Sequence, residues 1–261
     1  MRPDDSKDAV ITFHRIFTAA PPPLRGDRAA LGTLPAAAFQ YCEPVRTASS
    51  YGWYIFPPID IRLRWNGVDV MYVDGDEWQP LDCIGINDEF AEYWDQHAPE
   101  ELKGCWPPFM TATFAPGVVQ IWSGFLVSTA ENWSTMIGPT SNLWQTLEFV
   151  CYEGIIETDS FGPCPLFTNI RLLATDREIL IPKTKPLFQV RPVYKKAYAE
   201  TTLRLHEQVG LEARTESSGG MTPEDWAGYA KTIRKIDTPP DEYKPGAYGA
   251  QRRRTAKRDA K

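Results

Sequence analysis

The sequence predicts a mainly β fold: a distorted β-barrel or sandwich with long Pro-rich loops, two C-terminal helices and a disordered basic tail. Three observations carry this. The apolar runs are short and rich in Val, Ile, Phe, Tyr and Trp, the residues that suit a pleated, half-buried surface. The 23 prolines fall where such runs end. Ile59, Ile61, Leu63 and Trp65 alternate with Asp60, Arg62 and Arg64, then Asn66-Gly67 leads into a second alternation of Val68, Val70 and Tyr72. Asn-Gly between two alternating runs is the strongest short-range hairpin signal, which sets a hairpin over 59–73.

Further strands are expected at 9–16, 36–41, 51–56, 118–128, 133–137, 148–157, 166–173, 178–181 and 186–194. A short helix is expected within 86–98, where Asp88 caps and Phe90, Tyr93 and Trp94 share a face. Residues 195–211 read as helix-forming. Thr222-Pro223-Glu224-Asp225 opens a second helix that runs to 236, with a Thr cap, Pro in the first turn and early acids. The organisation is thus a β-rich domain over 8–200, a helical extension over 195–236 and a Pro-containing basic tail over 237–261.

Charge narrows the partners. The net charge is −6, but residues 251–261 hold six basic residues and one acid, so that tail is about +5 and the remainder about −11. An acidic body argues against a nucleic-acid surface, because phosphate binding needs a basic field; the tail is the exception. Residues 104–147 contain one charged residue, Glu131, yet four prolines and scattered Thr, Ser, Asn and Gln interrupt the stretch. It reads as β-structure buried on both faces or as a pocket lining, not as a membrane span. Five cysteines, an odd number without a Cys-x-x-Cys pair, fit reduced thiols in a cytoplasmic protein.

Several chemistries lack their residues. No His-Glu-x-x-His, Gly-x-Ser-x-Gly, P-loop or Gly-x-Gly-x-x-Gly occurs, and His14, His97 and His206 lie far apart. No metal ligand set or cofactor is indicated. Eight of the nine tryptophans fall between 53 and 144, enough for an apolar core or an aromatic-lined pocket. Trp122, Trp133 and Trp144 lie in the charge-poor stretch. Glu153, Glu157 and Asp159 close the run Glu153-Gly154-Ile155-Ile156-Glu157-Thr158-Asp159. On a strand, Glu157 and Asp159 share a face about 6–7 Å apart, close enough to hold a cation or a water; the alternative is a strand end emerging into solvent.

Certain strings resemble a bacterial and tailed-phage family of unknown function. They are Cys42-Glu43-Pro44-Val45-Arg46-Thr47-Ala48-Ser49-Ser50-Tyr51-Gly52-Trp53-Tyr54-Ile55-Phe56-Pro57-Pro58, Gly124-Phe125 to Thr129, Trp133-Ser134, Pro139-Thr140-Ser141-Asn142, Gly154 to Asp159, Phe167-Thr168-Asn169 and Pro186 to Pro192. The likeness spans about residues 10–200 and implies no activity. A second resemblance concerns shape. The Gly154–Asp159 string, Asn169 and the later Pro-Leu-Phe-Gln-Val are similar to the central hairpin and following strands of trimeric dUTPases and dCTP deaminases. That likeness implies a distorted β-barrel, with Asp159 at the position of the hairpin Asp that orients water or deoxyribose. Gly138 to Asn142 stands where those enzymes have Arg-Ser-Gly, and Ser160-Phe161-Gly162 where they have Tyr-Arg-Gly.

Three functional readings follow. The first is a small-molecule-binding β-barrel whose pocket is walled by Trp53, Trp122, Phe125 and Trp133, with Asn142, Asp159, Asn169 and Arg171 as polar anchors. The second is a nucleotide hydrolase or deaminase-like enzyme in which Asp159, the candidate catalytic residue, works with a divalent cation. The third is a homo-oligomeric assembly module.

Overall fold

The computed structural model describes residues 9–112, 115–143, 148–205, 223–230, 239 and 246–259. The chain is mainly β, with three antiparallel sheets that do not close into the expected barrel among the described residues.

The first sheet is centred on β9 (Val118–Thr129), twelve residues long and buried along almost its whole length. This strand is the charge-poor stretch, and its sequence lacks alternation because both faces are covered. On one side it pairs with β13 (Cys164–Leu172), which in turn pairs with β11 (Phe149–Cys151). On its other side, β8 (Met110–Thr111) pairs with its first half and β1 (Ile11–Arg15) with its second, while β7 (Cys83–Ile84) extends β8. Gly124 divides the two halves: its φ is +85°, and its carbonyl accepts the amides of Ile16 and Phe17, both at 3.0 Å.

The second sheet runs β12 (Gly154–Ile156), β10 (Trp133–Gly138), β15 (Phe188–Tyr194), β3 (Trp53–Ile55), β2 (Leu24–Arg25). At the β3–β15 contact Gly52 has φ +100°, and a methyl there would sit 2.0 Å from the Val190 carbonyl oxygen, so only glycine fits. The third sheet runs β14 (Glu178–Ile181), β4 (Ile61–Trp65), β5 (Val70–Asp74), β6 (Glu77–Pro80). The expected hairpin is β4–β5. Its loop is built by Asn66, whose Oδ1 accepts the amides of Val68 (2.8 Å) and Asp69 (2.7 Å), while Gly67 supplies the positive φ. One apolar core joins the sheets, with Phe125, Leu166 and Ile170 from the first, Ile55, Phe188 and Val190 from the second, and Leu63 and Ile179 from the third.

The helices depart from expectation more than the strands. Residues 36–41, read as a strand, form α1 (Ala36–Tyr41), in keeping with the helix preference of its three alanines. A second helix, α2 (Glu43–Ser50), follows with Pro44 in its first turn. The helix expected within 86–98 is α3 (Asp88–His97), but Asn87 is its cap, Oδ1 accepting from the Phe90 amide at 2.9 Å. After β15 the chain makes a 3₁₀ turn, Lys195–Ala197, further turns to Thr202 and irregular chain to residue 205 in place of the α-helix expected over 195–211. Thr202 Oγ1 accounts for this, bonding back to the carbonyls of Lys196 and Ala199. Residues 206–211 lie outside the described residues. Helix α4 (Pro223–Ala230) begins at the expected proline, and the part expected at 231–236 is outside the described residues. In place of a disordered tail, Ala247–Asp259 forms α5. It packs through Gly249, which is buried against Glu43. All five cysteines are free thiols, and no helix among the described residues is long and apolar enough to cross a membrane.

Candidate functional site

Alternation along β13 creates a two-sided strand. Leu166, Thr168, Ile170 and Leu172 point to the core, while Phe167 and Asn169 lie on the other face. There β12, an edge strand paired with β10 among the described residues, lines with β13 and β9 a cavity of about 380 Å³. Phe161, Phe167, Tyr152 and Ile155 supply apolar walls, and Gln120 and Asn169 supply amides. Asn169 stands opposite Gln120 in the β13–β9 register. Its backbone carbonyl accepts the Tyr152 amide at 2.9 Å, but its side-chain Oδ1 is buried and has no hydrogen-bond partner among the described residues. A buried amide oxygen left unpaired costs about 1–3 kcal/mol, which a donor from water or a ligand recovers. Cys164 also lines the cavity, and burial pushes its thiol pKa up, so it is a neutral wall and not a ready nucleophile.

Asp159 lies just beyond β12, in a turn and not on the strand end that the sequence suggested. Its Oδ2 accepts the Asn132 amide at 3.0 Å, and its Oδ1 lies 2.8 Å from Lys195 Nζ. Lys195 also reaches Glu157 Oε2 at 2.7 Å. The paired acids therefore do hold a cation, and it is the ammonium of Lys195. The preceding Thr158 is buried, its hydroxyl 2.8 Å from both Thr129 and Thr135 hydroxyls, which ties the turn to the β9–β10 connection. The Lys195 contact holds the Asp159 carboxyl below the usual carboxylate range, and Asp159 in turn holds the Lys195 ammonium pKa up. A lowered acid pKa stabilises the fold above the unfolded carboxyl pKa of about 3.9 and loses that effect as pH falls through the folded value. The difference in thermal midpoint between the chain and Asp159→Asn is therefore expected to be constant between about pH 8 and about pH 5. It should shrink as pH falls below the unfolded carboxyl value of about 3.9 and through the lowered folded one. A difference that persists in acid would remove the ion pair from the account.

The other sequence-derived candidates do not gather here. Of the eight, Asn169 alone lines this cavity. Trp122 is fully buried, its Nε1 donating to the Phe125 carbonyl at 2.9 Å and its ring 5.2 Å from Phe90. Phe125 belongs to the same core and meets Phe13 edge-on. Trp53 packs on Phe13 at 5.7 Å beneath the Arg25 guanidinium, and Trp133 packs on Tyr194 at 5.4 Å. Asn142, with φ +59°, donates to Val45 O (3.2 Å) and Ser49 Oγ (3.1 Å), fastening its loop to α2. Arg171 is exposed on β13. Trp144 and His206 lie outside the described residues. Among the described residues no three His, Cys, Asp or Glu side chains are placed to hold a metal ion.

A second polar cluster escaped the sequence reading. Gln189 and Arg191 occupy one face of β15 while Phe188 and Val190 face the core. Arg191 Nη2 donates to Gln189 Oε1 (2.8 Å), Ser141 Oγ (2.6 Å) and Pro139 O (3.1 Å). Gln189 Oε1 also accepts the Ser141 amide at 2.8 Å, and its Nε2 donates to Tyr51 O at 2.7 Å. The Tyr51 hydroxyl donates to the Pro192 carbonyl. Burial pushes the Arg191 pKa down from its ordinary value, and among the described residues no carboxylate lies within ion-pair distance of it. The signal in the sequence was a Gln and an Arg two apart inside an apolar strand. The strings around Ser49–Gly52, Pro139–Asn142 and Gln189–Pro192, separate in sequence, converge on this network.

No family model and no curated protein matches the chain. Among solved structures, a point mutant of the dUTPase from phage phi11 of S. aureus is similar at 12% identity with a TM-score of 0.38, covering 77% of this chain and 99% of that one. A Staphylococcus bacteriophage 80alpha dUTPase mutant with dUpNHpp is similar at 12% identity with a TM-score of 0.36, over 80% of this chain and 95% of that one. At these values the two similarities carry no argument about this chain, and its chemistry is read from its own geometry.

Proposed function

We propose that the chain binds a small, flat, partly apolar ligand in the cavity between β12 and the β9–β13 pair, with an N–H of the ligand donating to Asn169 Oδ1. The unpaired, buried Asn169 oxygen inside an aromatic-walled cavity of about 380 Å³ supports this reading. That volume is at the lower end for small-molecule sites and suits one or two fused rings. The free edge of β12 adds backbone groups that can pair with the ligand rim. Asp159 is not needed for binding, since its oxygens already hold Lys195 and Asn132.

The test is a thermal-shift screen against nucleobases, nucleosides and aromatic metabolites, repeated with Asn169→Leu and Asp159→Asn. A ligand at about 100 times its dissociation constant stabilises by about 2.7 kcal/mol. At about 2–4 °C per kcal/mol for a chain of this size, the midpoint rises by about 5–11 °C. The expected result is a hit lost in Asn169→Leu and kept in Asp159→Asn. A blank panel, or hits indifferent to Asn169, would sink the proposal.

A specific observation favours self-association alongside it. Phe161 is 74% exposed, and Tyr152 and Ile155 are each 44% exposed, at the rim of the same cavity. Apolar rims of this kind mark contact surfaces. Light scattering at high protein concentration is expected to give a multiple of the chain mass, with Phe161→Glu returning a single chain. A single-chain mass for the unaltered protein would refute this.

A further inference from the structure

Helix α5 carries Arg252, Arg253, Arg254, Lys257 and Arg258 against one acid, Asp259. Residues 251–258 are all exposed, and none of the five basic side chains forms an ion pair with a described residue. The spacing makes this costly for the helix itself. Arg253 and Lys257 are four apart, as are Arg254 and Arg258, and like charges at that spacing repel. Lys257 and Arg258 at the C-terminal end recover a little through the helix dipole.

The helix is nonetheless held at its first turn. A methyl at Gly249 would sit 3.4 Å from Glu43 Cβ, and one at Gly246 would sit 3.4 Å from the Tyr41 ring. Glu43 is 6% exposed and is gripped by Arg28 at 2.6 Å and Arg46 at 3.4 Å, with Arg252 adding to the attraction that lowers its pKa. One end of α5 is therefore anchored on the body, with Arg252 and Arg253 near the Glu43 contact, and all five basic residues remain exposed.

We propose that α5 is a contact for the phosphate backbone of nucleic acid, without reading of bases. Four of the five cations are arginines, whose planar forks match phosphate oxygens. A membrane surface fits less well. Interfacial helices insert a stripe of Leu, Phe or Trp, and the apolar residues here are Ala247, Tyr248, Ala250 and Ala256. The remainder of the chain, about −11, repels the same polyanion and confines contact to the helix.

The test is fluorescence anisotropy of a labelled DNA duplex with the full-length protein across a salt series, beside R253Q/R254Q/K257Q/R258Q. That variant keeps Arg252 and the approach of Gly249 to Glu43 and of Gly246 to Tyr41, losing only the Arg253 Nη1 contact at Gly249, and an unchanged thermal midpoint confirms its fold. Neutralising four or five phosphates gives a slope of log affinity against log salt of about −4, falling to about −1 in the variant. Affinity at low salt should drop by more than about tenfold. No binding at low salt, or a slope unchanged by the four substitutions, would overturn the proposal. So would binding to phosphatidylserine vesicles or poly-glutamate without binding to DNA.

Discussion

Replacing Trp122 with alanine is expected to destabilise the chain by about 3–5 kcal/mol, lowering its thermal midpoint by about 6–20 °C. The indole is fully buried where α3 meets β9, touching Phe90 at 5.2 Å, and its N–H satisfies the Phe125 carbonyl at 2.9 Å. Alanine leaves both a void and an orphaned carbonyl beside the positive-φ residue Gly124. Trp122→Phe should recover most of the volume and none of the hydrogen bond, placing it between the two. Denaturant unfolding of all three forms measures this. A loss below about 1 kcal/mol in Trp122→Ala would mean that the site collapses and that Trp122 is not the keystone of this corner.

The second large effect is expected from Gln189→Leu. Leucine fills a similar volume on β15 but removes the acceptor of the Ser141 amide and of Arg191, and the donor to Tyr51. What remains is a buried guanidinium with two partners in place of three and an unpaired amide. Breaking one side of a buried charged network costs about 3–5 kcal/mol. The double variant Gln189→Leu with Arg191→Met removes the stranded charge as well. It should be more stable than Gln189→Leu alone, because the remaining penalty falls on neutral groups, the Ser141 amide and hydroxyl and the Tyr51 and Pro139 carbonyls. Equal stability of the two variants would show that water relieves Arg191 as well as Gln189 does.

The strands were legible because burial imposes a period. Ile61, Leu63 and their Arg partners declared β4, and the charge-poor run declared β9 as buried on both faces. The helices at 36–50 were not read, although three alanines after Pro35 and Pro44 behind Glu43 are helix-start chemistry. Phe39 and Tyr41 suit a strand as well as a helix, so that string is ambiguous without its contacts. For the site, Asn169 could be named from sequence because a polar residue in an apolar strand must be accounted for. The same rule would have named Gln189 and Arg191. The partner of Asp159 could not be read, since Lys195 arrives from the far end of β15 and only folding brings the two together. Likewise nothing local says that Trp122 faces Phe90 and not a ligand; the tryptophan count suits both.

Three open sheets present free edges, and an unpaired strand edge is an invitation to stack with another chain. The prolines answer that invitation. Edge strand β6 ends on Pro80, edge strand β14 is followed at once by Pro182, and β2 is preceded by Pro21-Pro22-Pro23. A residue without an amide hydrogen cannot continue a ladder, so these three edges stop within a few residues. The trait that first marked this sequence as β-rich thus also limits strand addition at these three edges. Substituting Pro80 and Pro182 would be felt as lost solubility in concentrated solution well before it was felt as lost stability.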